Sequence, residues 1–500
     1  PDLPLENPWA AQEPLRVRHL LDHTSGLDDA RMWQVFTIRG EPNASLRSGL
    51  VHDGQTLRLR YRPGARFSYS NTGYLLAAML IEQVTGERYE RWLDRELLAP
   101  LDMRRSTFEF VSQVGAQADT GMAMGYFDGV TPNPSYAIPL RPTTQFATTA
   151  QDMATFARFL MSDGVVGGQQ IVDAALLRAI AVPTTTEAVR AGLRPGYGLG
   201  LVRRERWGIT GNCHLGNMGT FRAILCLYPE HQSAFFISFN TDPENANFNR
   251  VDSLVAGALG VPATPTVRPA SAAVNLAAWN GWYAIRPNRF EQFAYLDEVA
   301  GITRIAWEDT ALVLRPVQGA ARALRPLGGA LLRPDDRRAA THVVSRSADG
   351  VPLVTDGQRT FEQVSRTRVL ALAMSAVCGV VALLYLLLAG SARTVRAWRR
   401  GALRDESLRW TTAVLAPLAL APLLFLTQPF LAIGDPTIAN LSIAILTGAL
   451  PLAIAVSLAA EMRTPSASRW HWPDRVALVG ALQWCIVLAL WGLLPLALWR

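Results

Sequence analysis

The sequence predicts an α+β domain, then a small β-rich module, then an all-α region of four membrane-spanning helices. Helical apolar patterns dominate the first part, and from Gly196 the period changes to that of strands, with Phe221–Tyr228 and Ala234–Asn240 joined as an antiparallel hairpin. Short alternating runs within 276–365 indicate further strands, and four long apolar runs follow residue 368. The predicted boundaries are 1–261 for the first domain, 262–275 for a linker, 276–365 for the β-rich module and 366–500 for the membrane region.

The positive charge of the chain comes from arginine alone, because all 48 residues counted as Lys or Arg are Arg, and the net charge is +7. No arginine cluster lies beside aromatic residues ahead of the apolar runs, so we expect no nucleic-acid partner. Cys378 and Cys485 fall within apolar runs. Cys213 and Cys226 flank a predicted strand turn, where they can pair in an oxidising compartment or remain buried thiols. The sequence leaves that choice open.

The tripeptide Tyr69-Ser70-Asn71 follows a Pro-Gly turn and precedes a predicted helix over 74–84 that is closed by Gly86. A phenol and a carboxamide just ahead of a helix start can be held rigidly at the mouth of a cleft. The alternative is a buried tyrosine followed by an asparagine that caps the helix. On this segment alone, both interpretations stay open.

Two histidines, His19 and His23, lie four positions apart on a predicted helix over 15–27, the spacing of a helical metal pair. A zinc protease needs a glutamate after the first histidine, and Leu20 stands there instead. We therefore predict hydrogen-bonded structural histidines, no metal site and no cofactor. A further helix is predicted over 87–98.

A second polar motif, His214-Leu-Gly216, is predicted to lie between two strands, 197–203 and 221–228. Glycine allows close backbone approach to a ligand, and the imidazole offers a donor beside it. Residues 111–145, rich in Gly, Pro, Thr and Tyr, are predicted to be a long loop of the kind that lines a site. The following helix is predicted to be capped by Thr149, with an apolar stripe at Met153, Phe156, Phe159 and Leu160.

The four apolar runs are each long enough to cross a bilayer, and they predict a lipid bilayer as a partner. They cover 369–390, 411–433, 437–460 and 476–499. The loop after the first run is predicted to hold six arginines, and the loop before the last holds three: Arg393, Arg396, Arg399, Arg400, Arg404 and Arg409, then Arg463, Arg469 and Arg475. The positive-inside rule puts both loops in the cytoplasm and residues 1–365 on the opposite face. Ionisable residues are missing from the run interiors, which favours an anchor or docking bundle over a transporter. Which protein would dock there is not predicted.

Seven phrases in one order resemble a known family. They are His19-Leu-Leu-Asp-His-Thr-Ser-Gly-Leu27, Tyr61-x-Pro-Gly-x-x-Phe-Ser-Tyr-Ser-Asn-Thr-Gly-Tyr74, Ile81-Glu-x-Val-Thr-Gly86, Ala99-Pro-Leu-Asp-Met103, Thr149-Ala-Gln-Asp-Met-Ala154, Gly196-Tyr-Gly-Leu-Gly200 and His214-x-Gly216. Over residues 1–260 the chain resembles the serine β-lactamase and penicillin-binding-protein-like hydrolases, nearest to the branch related to class C β-lactamases. The resemblance implies a β-lactamase/transpeptidase-like fold.

The resemblance also implies residue roles. In this family a serine in a Ser-x-x-Lys motif is acylated, and the tyrosine of a Tyr-x-Asn motif moves the proton. Tyr69 matches that tyrosine, and Asn71 matches the asparagine that orients substrate and lysine. His214 and Gly216 match the third motif, on the strand that edges the substrate cleft. A phenol with an ordinary pKa near 10 acts as a base at neutral pH only if cations stabilise its phenolate.

This sequence departs from the family pattern at the nucleophile, because it holds no lysine and hence no Ser-x-x-Lys. The motif is expected upstream of Pro1, and the chain is therefore predicted to be a processed form or a fragment. Gly219-Thr220-Phe221 also stands where relatives often show Pro-Gly-Phe. The expected function is a serine hydrolase of the bacterial inner membrane, facing the periplasm and acting on a small-molecule or peptide substrate through an amide, peptide, ester or β-lactam bond. The alternative is a catalytically inactive ligand-binding or sensor module on a membrane anchor.

Overall fold

The computed structural model describes residues 3, 5–50, 57–243, 245–267, 274–401, 406–463 and 472–500. The chain forms two compact units, each continuous in space but not in sequence. The first comprises residues 1–30, 40–289 and 303–363, and the second comprises 31–39, 290–302 and 364–500. Part of the predicted linker, 268–273, lies outside the described residues.

Among its described residues, the first unit contains seven α-helices, which are α1 Val17–Leu21, α2 Asn71–Thr85, α3 Tyr89–Leu93, α4 Ala150–Leu160, α5 Ala174–Ala179, α6 Glu187–Arg190 and α7 Phe248–Ala258. Helix α1 is shorter than the predicted helix over 15–27, because His23 and Gly26 adopt left-handed conformations at φ 55° and 81°. Helix α2 begins three residues earlier than predicted and ends at Gly86, whose φ is 74°. The predicted helix over 87–98 is α3 followed by a π-helical turn at Asp94–Leu98.

Four short strands come first, β1 Gly125–Phe127 with β2 Thr131–Asn133, and β3 Val165–Val166 with β4 Gln169–Gln170. The main antiparallel sheet has the strands in sequential order β5 Gly196–Tyr197, β6 Val202–Arg206, β7 Ile209–Met218, β8 Phe221–Tyr228 and β9 Ser233–Phe239. The β8–β9 hairpin confirms the predicted one. The predicted strand over 197–203 is wrong as one element, since the chain breaks between β5 and β6 at Gly200, where φ is 131°.

The core of this domain lies where helix α4 packs against the sheet. Thr149 caps α4 as predicted, since its hydroxyl oxygen accepts a hydrogen bond from the backbone N–H of Asp152 at 3.2 Å. Met153, Phe159 and Leu160 are buried in one cluster with Leu225 and Leu227 of β8, and Phe156 packs against it. The helical period therefore decides which face of α4 meets the sheet.

The predicted β-rich module is a closed eight-stranded antiparallel barrel. Its strands are β10 Gly281–Ile285, β11 Thr303–Glu308, β12 Ala311–Pro316, β13 Arg322–Gly328, β14 Leu331–Pro334, β15 His342–Arg346, β16 Pro352–Thr355 and β17 Thr360–Val364. Tyr283, Leu312, Leu324, Leu332 and Val354 are fully buried together. Eight strands leave an interior that side chains of this size fill.

The barrel and the sheet domain share polar contacts within the first unit. Arg66 is buried and pairs with Glu187 of α6 at 3.0 Å and with Glu362 of β17 at 2.6 Å. The buried Glu205 of β6 accepts backbone hydrogen bonds from Arg338 and Ala339 at 2.7 and 2.9 Å. A buried charge needs such partners, so these contacts fix the barrel on the domain.

The second unit contains four long helices, α8 Arg366–Arg399, α9 Glu406–Thr427, α10 Ile438–Arg463 and α11 Trp472–Leu490. Among the described residues, α8, α10 and α11 are long and apolar enough to cross a membrane, whereas the apolar segment of α9, Val414–Thr427, is shorter. Within the described residues, three helices meet this requirement where four were predicted. The predicted runs over 411–433 and 476–499 also extend beyond the helices, which end at Thr427 and Leu490. Pro429 follows the end of α9, and Gly492, in the left-handed region, follows the end of α11.

The arginine-rich loops also differ from the prediction. Arg393, Arg396 and Arg399 lie in the last turns of α8 instead of in a loop, because that helix continues for 34 residues. Arg404 and Arg469 lie outside the described residues. Near the start of α11, the Asp474 carboxylate accepts hydrogen bonds from the Arg393 guanidinium and from the Tyr385 hydroxyl at 2.9 Å.

Two segments from earlier in the chain belong to the second unit. The Asp435 carboxylate accepts from the Thr37 hydroxyl at 2.5 Å and from the backbone N–H of Ile38 at 3.0 Å. The Tyr295 hydroxyl accepts from the Trp484 indole at 2.7 Å. The apolar helices thus hold residues of segments 31–39 and 290–302.

Candidate active site

Tyr69 lies on an extended segment that ends where helix α2 begins. Ser70 is the N-cap of α2: its hydroxyl accepts from the backbone N–H of Gly73 at 3.1 Å and donates to the Asp28 carbonyl at 2.8 Å. The cap fixes the backbone on either side of Ser70. Ser70 is thus a buried structural residue, and Tyr69 and Asn71 flank it in fixed positions.

Asn71 is the first residue of α2 and is held by one buried carboxylate. The Oδ1 atom of Asp29 accepts from the backbone N–H of Asn71 at 2.7 Å and from its side-chain amide at 2.8 Å. The Asp29 side chain has no exposed surface. Because the Asn71 amide nitrogen donates to Asp29, the amide oxygen is oriented away from that carboxylate.

His23 forms one wall around the Tyr69 ring. The two rings stack with centroids 4.1 Å apart, and Nδ1 of His23 accepts a hydrogen bond from the backbone N–H of Ser70 at 3.1 Å. Burial, helped by His214 and Arg289, lowers the pKa of His23 to about 3. The imidazole is therefore neutral at physiological pH and carries its proton on Nε2.

The third motif reaches this cluster through a tyrosine that the sequence did not single out. Tyr197 of β5 contacts Tyr69 edge-on with centroids 6.4 Å apart and His214 edge-on at 6.1 Å. It also contacts His23 at 4.9 Å. Burial lowers the pKa of His214, so this imidazole is also held neutral.

The placement of His214 and Gly216 between two strands is wrong, because both lie within strand β7 itself. Both residues pair with residues of the neighbouring strand β8, His214 with Leu225 and Gly216 with Ala223. Residues two apart on a strand share a face, so the two lie on one side of the sheet. A Cβ placed on Gly216 would meet nothing within 4 Å. The glycine therefore faces open space instead of a close backbone contact.

Charged groups act on Tyr69 in opposite directions. Burial and the Asp29 carboxylate raise the pKa of the phenol, and the Arg289 guanidinium lowers it. The net effect is upward, so the phenol in this arrangement holds its proton at neutral pH. Acting as a base would require further positive charge beside it.

Cys213 and Cys226 form a disulfide between directly paired residues of β7 and β8. The bond lies next to His214 in sequence and joins β7, the central strand of the sheet, which carries the third motif, to its neighbour β8. The alternative of two buried thiols is thereby excluded.

The histidine pair of α1 divides between two environments. His19 accepts from the backbone N–H of Arg16 at 3.2 Å, whereas His23 accepts from Ser70. No group of three or more potential metal ligands occurs in the part of the chain that the structure describes. Both histidines have the hydrogen-bonded role that the missing glutamate predicted.

Sequence reasoning missed three residues of this site, Asp29, Tyr197 and Arg289. Asp29 follows the His-Thr-Ser-Gly phrase within three residues of its end, and Tyr197 lies inside the quoted Gly-Tyr-Gly-Leu-Gly phrase. Those motifs were signals for both. Nothing in the sequence pointed to Arg289, which comes from the barrel.

Comparison with known proteins identifies the family of residues 1–259. A family model described as Beta-lactamase matches residues 1–259. Protein flp of Staphylococcus aureus (strain MW2) is 23% identical over 151 residues, which cover 30% of this chain and 30% of flp. The match thus spans less than a third of the length of that curated relative.

Two solved structures are reported among those similar to this chain. The crystal structure of SurE with D-Leu is 22% identical, has a TM-score of 0.45 and covers 73% of this chain and 82% of SurE. The octameric penicillin-binding protein homologue from Pyrococcus abyssi is 19% identical, with a TM-score of 0.38 and 72% and 83% of the chains covered. Because the family model covers more than half of its residues, this chain belongs to the Beta-lactamase family.

Proposed function

We propose that this protein is a membrane-anchored serine hydrolase that forms an acyl-enzyme and cleaves amide, peptide, ester or β-lactam bonds. The observation that carries the proposal is the placement of Tyr69 and Asn71 in one rigid cluster with His214, inside a domain of the Beta-lactamase family. In the proposed mechanism a serine hydroxyl attacks the carbonyl carbon and passes its proton to the Tyr69 phenolate. The C–N or C–O bond of the substrate then breaks, and Tyr69 returns the proton to the departing amine or alcohol. Water later releases the acyl group and restores the serine.

This mechanism needs a serine nucleophile and a cation beside Tyr69, and relatives take both from a Ser-x-x-Lys motif that this sequence does not contain. Burial and Asp29 raise the pKa of Tyr69, so the mechanism requires a second cation beside the phenol to counter them. Asn71 would orient substrate through its amide oxygen, and the β7 edge at Gly216 offers open space for it.

We also propose that the hydrolase domain faces the periplasm of a bacterial inner membrane. The Cys213–Cys226 disulfide supports this side, because disulfides persist in oxidising compartments. Arg396, Arg399 and Arg400 follow the first apolar stretch, and the positive-inside rule assigns that end to the cytoplasm. The apolar helices serve as the anchor in a lipid bilayer.

Covalent labelling tests the activity. The protein, expressed from its complete reading frame, is treated with a fluorescent penicillin or a fluorophosphonate. We expect an adduct, and we expect Tyr69→Phe to lose it. Tyr283→Phe is the matched control, because it removes a phenol that donates to Trp279 in the barrel core, away from the site. No adduct with either probe, or full labelling of Tyr69→Phe, would reject the proposal.

The second candidate is a catalytically silent ligand-binding or sensor module. It is favoured by the absence of lysine from this sequence and by a phenol that holds its proton. Under this alternative, penicillin or a short D-amino-acid peptide would raise the melting temperature without adding covalent mass. Intact-mass measurement after incubation separates the two candidates.

A further inference from the structure

One charged side chain from the barrel lies at the candidate active site. Arg289 follows strand β10, and its Nε lies 2.5 Å from Oδ2 of Asp29. The central carbon of the same guanidinium lies 4.5 Å from the centre of the Tyr69 ring. This is within the range of a cation–π contact. One arginine of the barrel thus touches both the proposed proton carrier and the carboxylate that holds Asn71.

The segment that carries Arg289 is fixed on the sheet domain by two arginines of that domain. Arg60 donates to the side-chain oxygen and to the backbone carbonyl of Asn288, both at 2.9 Å. Arg66 donates to the carbonyl of Arg286 at 3.3 Å. Bonds on both sides of a short segment limit its movement, so the position of Arg289 is built into the contact between barrel and domain.

The charges around this cluster give Arg289 a defined effect. Asp29 is fully buried, and a buried carboxylate is retained in its charged form only with a cation or several donors beside it. Arg289 supplies the cation, and Asn71 and Ala30 supply the donors. Around Tyr69 itself, His23 is neutral, Asp29 opposes the phenolate and Arg289 favours it.

We propose that Arg289 is a positioning residue of the active site, supplied by the barrel, which holds Asp29 and Asn71 in place and sets positive charge against the Tyr69 ring. This inference rests on the proposed function, in which Tyr69 takes the proton of the nucleophile. It gives the barrel a role in the reaction, beyond that of a spacer.

The test measures the rate of acylation by a fluorophosphonate across a range of pH, on the full-length protein in detergent. We expect Arg289→Ala to react about 10- to 100-fold more slowly at neutral pH, since small displacements of catalytic groups cost rates of this order. The deficit should narrow as the pH rises, because removing Arg289 raises the pKa of Tyr69 and moves the ascending limb of the profile to higher pH. Arg289→Lys, which keeps the charge, should recover part of the rate.

The matched control is Arg315→Ala. Arg315 is an arginine of the same barrel with similar exposure, 46% against 51% for Arg289, and it pairs with Glu308 within a hairpin. This variant should react like the wild type. A loss in Arg289→Ala that is equal at every pH and accompanied by a lower melting temperature would overturn the inference, as would an unchanged rate.

Tyr69→Phe separates this inference from the proposed function. If Tyr69→Phe reacts as fast as the wild type, the proposed function fails. If Tyr69→Phe is inactive while Arg289→Ala keeps both its rate and its pH profile, only the role of Arg289 fails.

Discussion

Removing the Asp29 carboxylate should disturb both the stability and the chemistry of the site. Asp29→Ala takes away an acceptor that serves three N–H groups, the backbone and side chain of Asn71 and the backbone of Ala30, at 2.7 to 2.8 Å. It also removes the partner of Arg289. Because Asp29 has no exposed surface, water does not reach the vacated position without rearrangement.

The loss of unfolding free energy in Asp29→Ala can be estimated from these contacts. A buried donor that loses its acceptor costs at least about 1 kcal/mol, and the two donors of the half-buried Asn71 cost somewhat less than the Ala30 N–H, which gives about 2 to 3 kcal/mol in total. The released Arg289 adds little, because half of its side chain is exposed and water screens its charge. Asp29→Asn should cost less, about 1 to 2 kcal/mol, since its amide oxygen can still accept from Asn71 while its amide nitrogen faces Arg289.

Urea unfolding of the detergent-solubilised protein, followed by tryptophan fluorescence, measures the free-energy differences. Asp119→Ala is the control, because Asp119 is an exposed aspartate of the same domain that accepts from Gly121 at 2.7 Å. Its effect should stay within about 0.5 kcal/mol. The proposed role of Asp29 in holding Asn71 is wrong if the unfolding free energy of Asp29→Ala lies within about 1 kcal/mol of the wild-type value. It is also wrong if Asp29→Asn loses as much unfolding free energy as Asp29→Ala.

Three further predictions concern the strand edge, a buried acid and the disulfide. Gly216→Val should leave the unfolding free energy within about 0.5 kcal/mol, because a Cβ at this position meets nothing within 4 Å, yet it should slow acylation about tenfold by filling the space beside β7. Unchanged kinetics would remove Gly216 from the substrate site. Burial raises the pKa of Asp22 to about 6, above its unfolded value, so its contribution to stability is present in acid and is lost as pH rises through about 6. In parallel urea titrations, the unfolding free energy of Asp22→Asn should therefore rise by about 3 kcal/mol relative to wild type between about pH 4 and 7. A difference that stays constant with pH would contradict this. Removing the Cys213–Cys226 bond by Cys213→Ser together with Cys226→Ser should lower the unfolding free energy by about 3 kcal/mol, because the bond closes a loop of 13 residues. Wild type treated with dithiothreitol is the matching control and should lose the same amount. No loss in either would argue against the bond.

Local sequence patterns were sufficient for the elements whose contacts lie close in sequence. The Thr149 cap, the Gly86 helix end and the β8–β9 hairpin each depend on residues within one turn or one tight connection. The pattern failed for β7, whose glycines and asparagines have low strand propensity. That strand is held by pairing with β8 on one side and β6 on the other, which no local signal reports.

In the membrane region, too, some features followed from local sequence and others depended on distant contacts. Hydropathy located the three helices that, among the described residues, are long and apolar enough to cross a membrane, because apolar length is a property of the sequence itself. It overestimated the fourth, whose apolar segment covers only Val414–Thr427. The ends of the helices depended on Pro429 and on the left-handed Gly492, and the continuation of α8 through Arg393 depended on a partner, Asp474, 81 residues away. Hydropathy alone does not register such contacts.

By itself, the sequence determined the family, the order of the modules and the identity of Tyr69, Asn71, His214 and Gly216 as candidates, because ordered motifs carry that information directly. The tertiary structure decided how they meet. The Asp29 carboxylate that holds Asn71 lies 42 positions away, and Arg289 pairs with Asp29 across 260 positions. Contacts over such separations depend on how the barrel seats on the sheet domain, and that placement follows from packing and buried charge pairs that no short stretch of sequence encodes.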